Sequence, residues 1–176
     1  MKRFLMIFTA ALLSIGLVSG AFAQASDNHT VSITIGDVCA IEATGTVTYT
    51  VVAGTNPGDD VVANEVADNA TLAYTSIVSS GPTSRNIQVS HDGTVPSGLT
   101  LQVDAVDASF GTNEGSDGGT YQSITSTPTN FITGIGSCAT GSGGITLDYN
   151  LLVSATTSLL QASATVTVTY LLTDDS

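Results

Sequence analysis

Few residues in this chain could do chemistry. His29 and His91 are its two imidazoles, so a general base near neutral pH would come from one of them or from a perturbed carboxylate. His91 lies in Ser90-His91-Asp92-Gly93, which reads as a strand running into a turn. A Ser-His-Asp triad is gathered from separate segments and not from three neighbours, so that stretch predicts a solvated turn histidine. Glycoside chemistry needs two converging carboxylates, and the chain has no tryptophan to stack a sugar ring. With no nucleophile, base or metal set in view, no catalytic residue is expected and the chain does not read as an enzyme.

Acidic side chains are the plentiful resource, and oxygen ligands suit calcium. Asp104, Asp107, Glu114 and Asp117 form the best candidate set, with Asp59 and Asp60 second. Neither has the alternate-aspartate spacing and distant glutamate of an EF-hand loop. The opposing reading is a solvated acidic loop. No other cofactor is expected. Asn28-His29-Thr30 and Asn69-Ala70-Thr71 fit the short glycosylation pattern.

The first residues set the compartment in which the rest must work. Met1-Lys2-Arg3 is followed by an apolar run from Phe4 to Val18 and by Ala21-Phe22-Ala23, the pattern of a cleavable signal peptide over residues 1–23. That run is shorter than the roughly 20 residues a permanent span needs, and no later stretch is apolar enough to anchor the product. Residues 24–176 then form one domain, exported to the extracellular space or cell surface, with the periplasm as the alternative. Cleavage leaves Arg85 as the one basic residue against 15 acidic ones, a formal net charge of −14. Nucleic acid is excluded as a partner, because phosphate binding needs clustered Lys and Arg. Anionic membrane surfaces are disfavoured on the same ground.

Export also decides how the two cysteines read. Cys39 and Cys138 would sit where disulfides form and persist, so a Cys39–Cys138 bond is expected. Its loop of about 100 residues would contribute on the order of 4–5 kcal/mol in the chain-entropy model. Neither cysteine has further ligands at short spacing, which disfavours zinc.

The elements that must position these residues are strands. Val31, Ile33 and Ile35 alternate with Ser32 and Thr34, and the same period returns in 46–51, 86–89, 99–103, 145–149 and 165–170. Thr, Val, Ile and Tyr dominate these runs, as half-buried strands prefer. Turn signals separate them, among them Asn56-Pro57-Gly58, Asp92-Gly93, Pro96-Ser97-Gly98 and Gly141-Ser142-Gly143-Gly144. The reading is an all-β chain, an immunoglobulin-like or jelly-roll-like antiparallel β-sandwich. Helix is limited to one turn within Ser154–Ala162, linking the last two strands. The stretch from Asp107 to Gly119 is the most loop-like. No lysine follows Lys2, so the usual charged guard of edge strands is missing.

Two ends of the chain carry a family resemblance. Thr30-Val31-Ser32-Ile33-Thr34-Ile35-Gly36-Asp37-Val38-Cys39-Ala40-Ile41 resembles the opening of chaperone–usher pilins and spore coat protein U-like domains, where an alternating strand leads into a cysteine. Ala164-Thr165-Val166-Thr167-Val168-Thr169-Tyr170 is similar to their final strand. The resemblance implies an incomplete sandwich on a bacterial surface that accepts an extended strand from a neighbouring subunit, with Val31, Ile33 and Ile35 as the donated side chains. It implies self-association or related subunits as partners, and an export chaperone. A closed sandwich using 31–35 as its own first strand stays open, as does a monomeric binding or adhesion module working through its acidic loops.

Overall fold

The computed structural model describes residues 29–79, 84–106 and 110–175. The expected signal peptide, Asn28 of the first glycosylation pattern and Asp107 lie outside them. The chain divides into Met1–Thr34 and Ile35–Ser176, and the eleven strands found among the described residues belong to the second unit. They are β1 (Val38–Thr44), β2 (Val47–Val52), β3 (Val62–Asp68), β4 (Thr71–Ile77), β5 (Arg85–Asp92), β6 (Leu99–Ala105), β7 (Gln122–Ser123), β8 (Thr129–Ile135), β9 (Cys138–Ala139), β10 (Ile145–Val153) and β11 (Thr167–Asp174). One 3₁₀ turn, Thr156–Ser158, lies where a single turn was expected. Among the described residues no helix is long and apolar enough to cross a membrane.

The fold is an all-β sandwich of antiparallel sheets. One sheet runs in the order β1-β4-β10-β6-β7, with β9 also pairing β4, and the facing sheet runs β11-β5-β8. Alternation sets the interior. Leu72 and Tyr74 from β4, Ile87 and Val89 from β5, Phe131 and Ile132 from β8, and Leu147 and Tyr149 from β10 are buried together. Val103 and Leu172 join them, and a hydrogen bond of 2.7 Å between the Tyr149 and Tyr170 hydroxyls crosses from sheet to sheet.

One long hairpin forms an edge of this assembly. The pairing Val38↔Ile77 continues in step through Thr44↔Thr71, Val47↔Asp68 and Val52↔Val62, with one irregularity at Thr48/Tyr49. β1 and β2 are therefore two halves of one strand, as are β3 and β4. The bend falls where Gly45 (φ +103°) crosses Asn69: a Cβ on Gly45 would stand 2.4 Å from the Asn69 carbonyl oxygen, so only glycine allows the crossing. The Thr46 amide donates to Asn69 Oδ1 at 2.8 Å, which gives the side chain of that glycosylation pattern a structural task.

The strand expected at 31–35 does not form. Val31, Ile33 and Ile35 alternate as predicted, but the segment has no ladder and these side chains are 67%, 81% and 76% exposed. Alternation specifies which face a strand would bury. It does not supply the neighbour whose backbone a strand must pair with.

Candidate functional site

The three strands of the β11-β5-β8 sheet face a broader sheet, and part of the apolar interior remains open beside β2. The resulting groove has a volume of about 960 Å³. Leu101 of β6, Leu147, Tyr149 and Leu151 of β10, Val47 and Tyr49 of β2, and Val168 and Tyr170 of β11 line it. Val47, Tyr49, Leu101, Val168 and Tyr170 pack against the core yet keep partial exposure. Among the described residues β11 forms a ladder with β5 alone, so its other edge carries no partner strand beside the apolar pockets, although its Leu172 carbonyl meets Cys39 of β1. That combination can take an extended peptide, which gains backbone hydrogen bonds and places alternate side chains in the pockets.

At the far end of β11 a buried cation ties the sandwich together. Arg85, 2% exposed, donates from Nε to Asp174 Oδ1 at 2.9 Å and from Nη2 to Asp37 Oδ1 at 2.5 Å. It also donates to the carbonyl of Val38, to Ser76 Oγ at 3.3 Å and to the Ile77 carbonyl at 3.4 Å. Burial opposes its charge, but the bonds to Asp174 and Asp37 outweigh that penalty and keep the guanidinium protonated. The first residues of β1 are thereby pinned to β4 and β11.

The cysteines sit beside this junction, and they correct the disulfide expected between Cys39 and Cys138. Cys39 in β1 and Cys138 in β9 both pair with Ser76, from opposite edges of β4. With a strand spacing near 4.8 Å, a whole strand separates them and their Cα atoms stand about 10 Å apart, beyond the roughly 7 Å a disulfide can span. Both thiols are free. Cys39 Sγ points at the Leu172 carbonyl, 3.7 Å away, and burial pushes the Cys138 thiol up.

Among the described residues, Asp104, Glu114 and Asp117 are not brought together as one oxygen cage, and Asp107 lies outside those residues. Glu114 is buried and accepts the Gly111 amide at 2.6 Å. Asp117 accepts the amides of Ala105 at 2.7 Å and Gly119 at 2.9 Å. Both carboxylates are thus absorbed in shaping the loop. Asp104 lies in β6 opposite Asp148 of β10. Asp59 accepts from the Asn56 amide and Asp60 from the Thr156 hydroxyl, so these too serve local structure. Among the described residues, the group whose geometry could hold a cation is Glu65, Asp68 and Asp148, with carboxylate oxygens within 4.8 Å of one another. Asp68 already accepts the amides of Ala70 and Tyr149, and Asp148 accepts the Tyr121 hydroxyl at 2.6 Å, which helps push that phenol up to about 12. Sequence reasoning missed the cluster because its members come from β3 and β10, remote in the chain.

His91, the penultimate residue of β5, lies on the same face as Ile87 and Val89, with Nδ1 shielded from solvent and without a partner. Ser90 and Asp92, one residue to either side, point to the opposite face by strand alternation, so the three do not form a triad. No known protein family, curated protein or solved structure matches the chain.

Proposed function

We propose that the chain is an exported structural subunit of a surface fibre or matrix, assembled by β-strand addition. In this reading the segment holding Val31, Ile33 and Ile35 of one copy enters the groove of another. The observation that carries it is complementarity. The chain has an apolar alternating segment that is exposed and unpaired, and a groove with apolar pockets along a free strand edge. Val31 to Ile35 would extend about 13 Å at ~3.3 Å per residue, the same reach as Val47 to Val51 along the groove wall. Burying the two isoleucines and the valine would contribute roughly 1.5–3 kcal/mol each. Ordering the segment offsets part of that gain. The absence of lysine after Lys2 leaves the edges without the charge that commonly blocks such pairing.

Negative-stain microscopy and size-exclusion chromatography of residues 24–176 test this. Filaments or oligomers are expected, and deletion of residues 24–36 should reduce them to folded monomers. A chain that stays monomeric at high concentration, or one that assembles equally well after the deletion, overturns the proposal.

A further inference from the structure

The connection from β10 to β11 continues the groove wall in an unusual way. Its first part is fixed: the amides of Ser154 and Ala155 both donate to the Gly98 carbonyl, at 2.8 and 3.2 Å. Gly98 has φ +85°, and a Cβ there would stand 2.5 Å from the Ala155 carbonyl oxygen, so that anchor depends on glycine. Beyond it, Leu160–Thr165 are exposed and make no hydrogen bond among the described residues, yet they line the groove. Their pattern is that of a strand. Ala162, Ala164 and Val166 continue in sequence the apolar alternation of Val168, Tyr170 and Leu172 without a break, with Ala162 and Ala164 exposed. The strand stops at Thr167 because its partner β5 ends at Asp92, the residue opposite.

We propose that Leu160–Val166 is a spare length of β11 that becomes strand when the groove is filled. The inference rests on the strand-addition reading above and adds a conformational step to it. An entering strand would offer these residues the lateral partner that β5 does not reach, and the ladder on β11 would lengthen past Thr167 towards the Gly98 anchor. The free chain keeps its acceptor edge in part unformed, so ordering this segment is coupled to occupancy of the groove.

Hydrogen exchange on residues 24–176, alone and with a saturating synthetic peptide of residues 24–37, tests the step. Amides of 160–166 should exchange rapidly in the free chain and slow by at least about ten-fold with peptide. Two proline variants, Ala164→Pro and Thr165→Pro, supply an independent readout, because successive residues of a strand aim their backbone groups at opposite edges. Neither amide is bonded in the free chain, so both variants should melt as the unaltered protein does. One of the two should bind peptide roughly three- to ten-fold more weakly, the loss of one ladder hydrogen bond, and the other should not. If peptide binds but 160–166 exchange as before, or if both variants bind normally, the spare strand is refuted and strand addition stands. If no peptide binds, strand addition fails and the spare strand falls with it.

Discussion

Replacing Arg85 by methionine isolates the buried junction, since methionine keeps length and bulk but offers no donor. Asp37 and Asp174 are 56% and 58% exposed, so each ion pair is screened and contributes no more than about 1 kcal/mol. The remaining loss comes from the Val38 and Ile77 carbonyls and Ser76 Oγ, which lose a charged donor at a buried position and cost roughly 1 kcal/mol each. The sum is about 3–5 kcal/mol, in the range found when one partner of a buried ionic network is removed. For a domain of this size that lowers the melting temperature by roughly 6–20 °C. Arg85→Lys should recover only part of the loss, because a point ammonium cannot span two carboxylates and three further acceptors. Thermal melts by circular dichroism, with urea titration for the free energy, give the answer. A methionine variant within about 1 kcal/mol of the unaltered chain would refute the reasoning, and so would a lysine variant of full stability.

Thiol labelling of the native chain should find both Cys39 and Cys138 reactive without prior reduction, Cys39 first because it is exposed. Reductant should not change the melting temperature, and a loss near 4 kcal/mol on reduction would restore the disulfide. Tyr49, Tyr74, Tyr149 and Tyr170 are all raised above the ordinary value of 10, chiefly by burial, and Tyr121 is raised to about 12, chiefly by its bond to Asp148. The unfolded chain therefore loses phenolic protons first; stability is whole below pH 10 and falls as pH rises towards 12. Tyrosinate absorbance across that window should lag in the native chain behind the urea-unfolded one, and coincident titrations would contradict it. Asp148→Asn should raise stability by about 0.5–1 kcal/mol at low ionic strength, since Asp148 faces Asp104 across the sheet and lies among Glu65 and Asp68. The gain should shrink in high salt. A destabilised variant at low salt would show that the cluster is not repulsive.

Much of the strand pattern was legible. The runs leading to β2, β5, β6, β10 and β11 show alternation over residues with high strand preference, and tertiary burial follows it: Ile87 and Val89 are fully buried and Gln88 between them is not. β4 was harder to see because its inward row, Leu72, Tyr74 and Ser76, includes a serine whose hydroxyl meets the Arg85 guanidinium. β3 is an edge segment with Asn64, Glu65 and Ala67 outside any core, so no apolar face marks it. Export remains a reading of residues 1–23, which lie outside the described structure.

Composition and period alone determined that this chain is all-β, acidic and poor in histidine, because residue type and spacing act locally. Lateral neighbours come from distant parts of the chain and obey no local period, so they were left to the tertiary structure. Placing Ser76 between Cys39 and Cys138 kept two plausible thiols apart. Ending β5 at Asp92 left β11 with length to spare. Giving Val31, Ile33 and Ile35 no partner turned an expected first strand into an exposed apolar segment, and opening the sandwich beside β2 left a groove lined by apolar side chains.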